Sequence, residues 1–179
     1  FEVEVKNQAF DGLLPALQSG KIDLIIAGMT VTDERKKAVD FSESYYTASQ
    51  VIIVPADNAA IKSFDDLKGK NVGVQIGTTG DTVISEIKEI TNTKYNNGSE
   101  AVLALTTQKV DAVVIDNEPA KNFVAKNTGL KVVDTGAVKE DYAIAIAKGN
   151  KELLDKVNTG LKTLKENGKY DELIAKWFK

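Results

Sequence analysis

The sequence predicts an α/β protein built as two similar lobes, and three observations carry that prediction. Strand-like and helix-like patterns alternate from one end of the chain to the other, the order that gives sheets covered by helices. The block LLPALQSGKIDLIIAG (13–28) lies over AVLALTTQKVDAVVID (101–116) without a gap, and Ala16, Leu17, Lys21 and Asp23 recur as Ala104, Leu105, Lys109 and Asp111. No low-complexity tract or disordered linker breaks the pattern.

Each repeated block reads as a helix end, a short turn and a parallel strand. Two such blocks imply a sheet in each lobe, so residues 22–27 and 72–75 are expected in separate sheets. A generic helix–turn–strand unit would produce a similar pattern, and that alternative stays open.

In chain order, strands are expected at residues 2–5, 22–27, 49–54, 72–75, 112–115, 130–133 and 142–147, where β-branched and apolar residues cluster between turn formers. Helices are expected to start near Asp11, Ser63, Thr79, Ser99, Asn117, Lys151 and Tyr170. Ser63 precedes Asp66 by three positions, a hydroxyl-then-acid spacing that caps a helix N-terminus. From Lys151 onward, Leu153, Leu154, Val157, Leu161 and Leu164 share one helical face, which must pack on a core. Gly168 stops that helix, and Tyr170, Leu173, Ile174, Trp177 and Phe178 begin another amphipathic set.

Composition narrows the function. The 179 residues suffice for one large domain or two small lobes with a buried core. The net charge of −3 with no basic block makes nucleic acid an unsuitable partner. The sequence has no Cys and no His, which removes thiol chemistry, thiolate metal sites and the commonest general base. No acidic loop at calcium-binding spacing appears, so no metal or other cofactor is expected. No apolar run is long enough to span a membrane, and no signal peptide opens the sequence, which reads as a mature or trimmed form.

Three strand ends carry the chemistry. In GMTVTDERKKAVDFS (28–42), a strand ending at Ala27 and Gly28 is followed by Thr30 and by Arg35, whose planar fork matches a carboxylate. Thr32 is placed to cap a short helix through Asp33 and Glu34. In GVQIGTTGDT (73–82), a strand ending at Gln75 enters a helix through Gly77, Thr78 and Thr79, offering free N–H groups and hydroxyls to an anion. It lacks the Gly-Lys-Ser/Thr of a Walker loop and the full dinucleotide glycine pattern. In VVIDNEP, Asp116 ends a strand where it either caps the next helix or faces Arg35 across a cleft. An acid and an arginine at that spacing would meet the ammonium and carboxylate of an α-amino acid.

The stretch AFDGLLPALQSGKIDLIIAGMTVTDERKKAVDFSESYY, followed in order by GVQIGTTG, DAVVIDNEPA and LKTLKENGKYDELIAKWF, resembles the periplasmic-type solute-binding proteins for polar amino acids, whose members bind glutamine, arginine, or lysine, arginine and ornithine. The resemblance covers the whole chain. It implies the two-lobed type II periplasmic binding protein fold, with lobe 1 formed by 1–48 and 140–179 and lobe 2 by 50–138. Hinge strands would cross near 49–54 and 139–147. It also implies that Phe10 stacks on the ligand side chain and that the Gly28 carbonyl, next to Ala27, accepts from the ammonium. Thr30 and Arg35 would hold the carboxylate, Gln75, Thr78 and Thr79 would approach from lobe 2, and Asp116 would pair with the ammonium. Family members carry a further βα unit ahead of the first residue here, so lobe 1 is expected to be incomplete at its N-terminus.

The expected function is that of a non-enzymatic receptor on the outer side of a membrane. It would close on a free polar L-amino acid, of glutamine or arginine type, and deliver it to an ABC permease. The competing expectation is a truncated fragment that self-associates as a homodimer through lobe 1 and binds ligand weakly or not at all.

Overall fold

The computed structural model describes residues 2–178. After an irregular start, a single 3₁₀ turn, Phe10–Gly12, leads into α1 (Leu13–Gln18), β1 (Leu24–Ile25), α2 (Asp33–Ala38) and the long strand β2 (Val39–Pro55). A second 3₁₀ turn, Phe64–Leu67, precedes β3 (Asn71–Gln75), α3 (Thr79–Glu86), β4 (Thr91–Tyr95), α4 (Gly98–Thr106), β5 (Ala112–Asp116) and α5 (Asn117–Lys126). The chain then returns along β6 (Leu130–Ala147) and ends in α6 (Lys151–Glu166) and α7 (Lys169–Trp177).

Cap chemistry accounts for most helix starts. Thr32 accepts from the Arg35 N–H at the head of α2, Thr78 from Asp81 at α3, and Asn97 from Glu100 at α4. Ser63 and Asp66 form the capping box that their spacing implied, though on a 3₁₀ turn. Gly168, with φ 76°, is the left-handed stop between α6 and α7.

The strands form one continuous sheet in the order β1-β6-β2-β5-β3-β4. This corrects the expectation of two separate sheets: residues 22–27 and 72–75 contribute to the same hydrogen-bonded sheet. The physical reason is the length of β2 and β6, which pair antiparallel from Val39↔Ala147 to Pro55↔Leu130 and run through both lobes. Register shifts between Phe41 and Ser44, Ser44 and Tyr46, and Ser49 and Val51 bend this ribbon between its ends. The expected strands at 130–133 and 142–147 are therefore two ends of one strand.

Three further expectations are corrected. The sheet is mixed: β3 pairs parallel with β4 and β5, but β1 with β6 and β5 with β2 are antiparallel. Only Leu24 and Ile25 of 22–27 form a ladder. Residues 2–5 form no strand, because no neighbouring edge pairs with them, and Val3 and Val5 are 79% and 87% exposed. Strand β4 was not anticipated, since TNTKY is polar and lies at a sheet edge, where packing does not impose an apolar face.

The buried side chains divide into two groups along this sheet. Val51, Ile53, Val113 and Leu105 gather on one face with α4 and α5, and Ile52, Val54, Val72, Val74 and Ile84 on the other with α3. At the far end, Leu17, Ile25, Met29, Val39 and Ala145 form one cluster, and Ile144, Ile146 and Leu161 another under α6. Burying each large apolar side chain contributes about 1.5–3 kcal/mol, so each end of the ribbon holds its own stabilising core.

The internal repeat has a structural counterpart. Lys21 N–H bonds the Ala16 carbonyl at 2.9 Å, and Lys109 N–H bonds Ala104 at 2.8 Å. Gly20 N–H bonds Leu17 at 3.1 Å, and Gln108 N–H bonds Leu105 at 3.0 Å. Helices α1 and α4 thus end in the same turn and feed strand ends at matching positions.

Candidate ligand site

Helix α2 presents Arg35 inward, and the side chain is 9% exposed. Its Nη1 donates to the Thr30 carbonyl at 2.7 Å and its Nη2 to the Gly77 carbonyl at 3.0 Å. Its Cζ lies 5.6 Å from the centroid of the Phe10 ring. One guanidinium therefore ties the first strand-end turn to the second. Burial lowers the Arg35 pKa, against the opposite pull of Glu140 and Asp116.

The β3–α3 turn is shaped to receive it. Gly77 adopts φ +78°, and a Cβ there would lie 3.2 Å from Asp11 Cβ, so the turn packs directly against the Phe10–Gly12 turn. Asp81 accepts the Gly77 N–H at 3.1 Å, fixing the carbonyl that Arg35 uses.

Two carboxylates complete the cluster. Thr30 Oγ1 donates to Glu140 Oε2 at 2.8 Å, and Thr79 Oγ1 donates to the same oxygen at 2.6 Å. Gln50 Nε2 donates to Thr79 Oγ1 at 3.0 Å and also to Asp116 Oδ1. Tyr142 Oη donates to Asp116 Oδ2. Gln50 lies directly opposite Asp116 in the β2–β5 ladder. Burial pushes the Asp116 pKa up to about 6; repulsion from Glu140 adds to this, while Tyr142, Gln50 and Arg35 favour the anion. Burial, reinforced by Asp116, likewise raises the Tyr142 pKa.

Of the residues singled out from the sequence, Phe10, Thr30, Arg35, Thr79 and Asp116 come together. Gly28 lies against the Tyr142 ring, and the Ala27 carbonyl accepts the Tyr45 hydroxyl at 2.6 Å. Thr78 is occupied in capping α3 and in donating to the Gln75 carbonyl at 2.8 Å. The Gln75 amide reaches the Asn96 carbonyl at 3.4 Å and bonds none of the cluster. Asp116 holds the N-cap position of α5 but makes no side-chain cap bond, so its carboxylate serves the cluster instead of the helix.

Gln50, Glu140, Tyr142 and Tyr45 were not foreseen as site residues. Gln50, Glu140 and Tyr142 lie on β2 and β6, the strands shared by both ends of the sheet. A signal was available, because Gln50 is a polar residue opening the apolar run VIIV.

Arg35, paired hydroxyls and an acid at the ends of strands form a polar cluster suited to a small polar solute, on a two-lobed α/β frame. Comparison with known proteins agrees. The whole chain, residues 1–179, matches the bacterial extracellular solute-binding proteins, family 3, and the protein belongs to that family. It is 38% identical over 184 residues to the arginine-binding extracellular protein ArtP of Bacillus subtilis, covering 99% of this chain and 71% of that one. It is also 38% identical over 173 residues to a probable histidine-binding protein of Campylobacter jejuni, covering 94% of this chain and 66% of the relative. Among solved structures, an ancestral arginine-binding protein bound to arginine superposes with a TM-score of 0.96 at 48% identity, covering 99% of this chain and 81% of that one. A family of solute-binding proteins captures its solute without transforming it, so the protein is not an enzyme. Among the described residues, no helix is long and apolar enough to cross a membrane.

Proposed function

We propose that the protein closes two lobes on a free polar L-amino acid, of arginine or glutamine type, and delivers it to a membrane ABC permease from the periplasm or the outer cell surface. The observation that carries this reading is the convergence of Thr30 and Arg35 with Thr79 and Asp116: one cation and two hydroxyls gathered beside the half-buried Asp116 carboxylate, with both hydroxyls donating to Glu140. Arg35, Thr30 and Thr79 would take the α-carboxylate, Asp116 and the Gly28 carbonyl the ammonium, and Phe10 the side chain. Ala27 holds the strand end in place, and Gln75 and Thr78 line the approach from the second lobe.

The lobes are assigned to 1–48 with 140–179 and to 50–138, with hinges near 49–54 and 139–147. The division of the buried clusters supports this: each draws its residues from one side of those boundaries. Relatives named for arginine and histidine binding support an amino-acid ligand. Titration calorimetry against each standard L-amino acid tests the reading. Binding of arginine or glutamine is expected, and heat from none of the twenty would defeat it.

One observation favours a second reading, association of two copies through lobe 1. Among the described residues β1 pairs only with β6, and beside it lies an open groove of about 1170 Å³ where Ile22, Leu24, Ile26 and Leu153 alternate with charged residues such as Glu4 and Asp23. An unpaired edge beside apolar side chains is a template for another strand. Light scattering decides it: a homodimer is expected, and a monomer at high concentration removes this reading.

A further inference from the structure

The two hydroxyls assigned to a ligand's carboxylate already hold a carboxylate, that of Glu140. A hydroxyl has a single proton to give. The protons of Thr30 Oγ1 and Thr79 Oγ1 both go to Glu140 Oε2, at 2.8 and 2.6 Å. The Thr79 oxygen also accepts from Gln50 Nε2 at 3.0 Å, which narrows the directions left to its proton. An incoming carboxylate therefore cannot share these donors with Glu140. It must replace it.

The setting allows that exchange. Glu140 is half-buried on β6, flanked by the exposed Lys139 and Asp141, so its side chain has water within reach. Its two donors connect it to the other charges: Arg35 holds the Thr30 carbonyl, and Gln50 bridges Thr79 to Asp116. With Asp116 ionised, the site holds two anions against one cation, and an additional carboxylate meets repulsion from Glu140 wherever it binds nearby.

We infer that Glu140 is an internal carboxylate that competes with the amino acid's own carboxylate for the Thr30 and Thr79 hydroxyls, and so sets the protein's affinity. The inference rests on the assignment of this cluster as the amino-acid site.

The test compares the full chain with Glu140→Gln and Glu140→Ala by titration calorimetry, using L-arginine and L-argininamide, with L-glutamine and L-glutamine amide as a second pair. Removing the competing charge should tighten binding of the free acids roughly tenfold, within the usual span of coupling between groups in one site. The amides lack the charge that Glu140 repels and should gain little. Glu140→Gln keeps the side-chain shape, so a gain there with an unchanged melting temperature separates competition from loosened packing. Binding by the unaltered protein with no gain in either variant, a loss, or an equal gain for acids and amides would overturn the inference alone. Binding by the variants but not by the unaltered protein would support it in its strongest form. Silence from all three proteins would overturn the amino-acid assignment and this inference with it.

Discussion

Arg35 and Gly77 are joined directly: the guanidinium Nη2 donates to the glycine carbonyl at 3.0 Å, while Nη1 holds the Thr30 carbonyl at 2.7 Å. Arg35 comes from a helix beside the Met29–Val39 core, and Gly77 from the turn after β3, whose Val72 and Val74 belong to a different core. A single side chain thus spans the gap between the two ends of the sheet. A lysine could supply the charge but could not donate along two directions from one plane.

Arg35→Ala is accordingly expected to weaken amino-acid binding by about 2–5 kcal/mol, the range for truncating one partner of a buried charged hydrogen bond. Arg35→Lys should recover part of that loss. Calorimetric titration of both variants reads the effect, and an unchanged affinity in Arg35→Ala would remove Arg35 from the site.

Asp116 gives a pH dependence of defined sign. Its carboxyl titrates near 3.8 when exposed and at about 6 in the fold, chiefly because burial disfavours the anion. The folded state therefore binds more protons than the unfolded state in that window, and stability falls as pH rises through it. Full ionisation costs the native state about 3 kcal/mol at neutral pH. Urea denaturation at about pH 4.5 and about pH 7 should show about 2 kcal/mol of this loss, and Asp116→Asn should lack it. Ligand affinity should move the other way, weakening below about 6 as the ammonium loses its counter-charge. Parallel pH trends for stability and affinity would contradict the assignment.

Asp81 acts in the opposite sense. Its carboxylate is 6% exposed, pairs with Lys94 Nζ at 2.9 Å, and accepts from Gly77 N–H, Ser85 and Asn92. Burial would raise its pKa, but these partners outweigh burial and hold it below 3.8. The stability it contributes is present above that value and is lost as pH falls below it. Asp81→Ala should destabilise the protein by about 1–3 kcal/mol, the cost of leaving buried donors unpaired. It should also weaken ligand binding, because the Gly77 carbonyl loses its fixed position. A variant with normal stability would show that the turn is held by other means.

The legibility of this molecule in its sequence followed physical scale. Local chemistry was readable: the Thr32 cap, the capping box at Ser63 and Asp66, and the stop at Gly168 each depend on a few neighbouring residues. Arg35, Thr30, Thr79 and Asp116 were readable because strand ends are where polar groups escape the sheet. Sheet connectivity was not. That β2 and β6 run unbroken through SESYYTASQ and DTGAVKEDY depends on their pairing with each other, which neither segment's pattern reveals alone. The same pairing places Glu140 and Tyr142 in the cluster, so those residues were hidden for the same reason, whereas Gln50 was signalled by its place at the head of an apolar run.

The repeat leaves one asymmetry that can be measured. Helices α1 and α4 end in matching turns, with Gly20 at φ 71° in one and Gln108 at φ 58° in the other. A residue with a Cβ pays about 1–2 kcal/mol for the left-handed conformation, whereas glycine does not. A Cβ on Gly20 would meet nothing within 4 Å, so only this backbone term operates there. Gly20→Ala should therefore cost about 1 kcal/mol. Gln108→Gly relieves the same strain, but the added freedom of the unfolded chain offsets about 0.4–1 kcal/mol of the gain, so its net effect should be small. Urea midpoints for the two variants, measured at equal slope, test the pair. A neutral Gly20→Ala, or a Gln108→Gly that destabilises by more than about 1 kcal/mol, would mean that the two turns are not under the same backbone constraint.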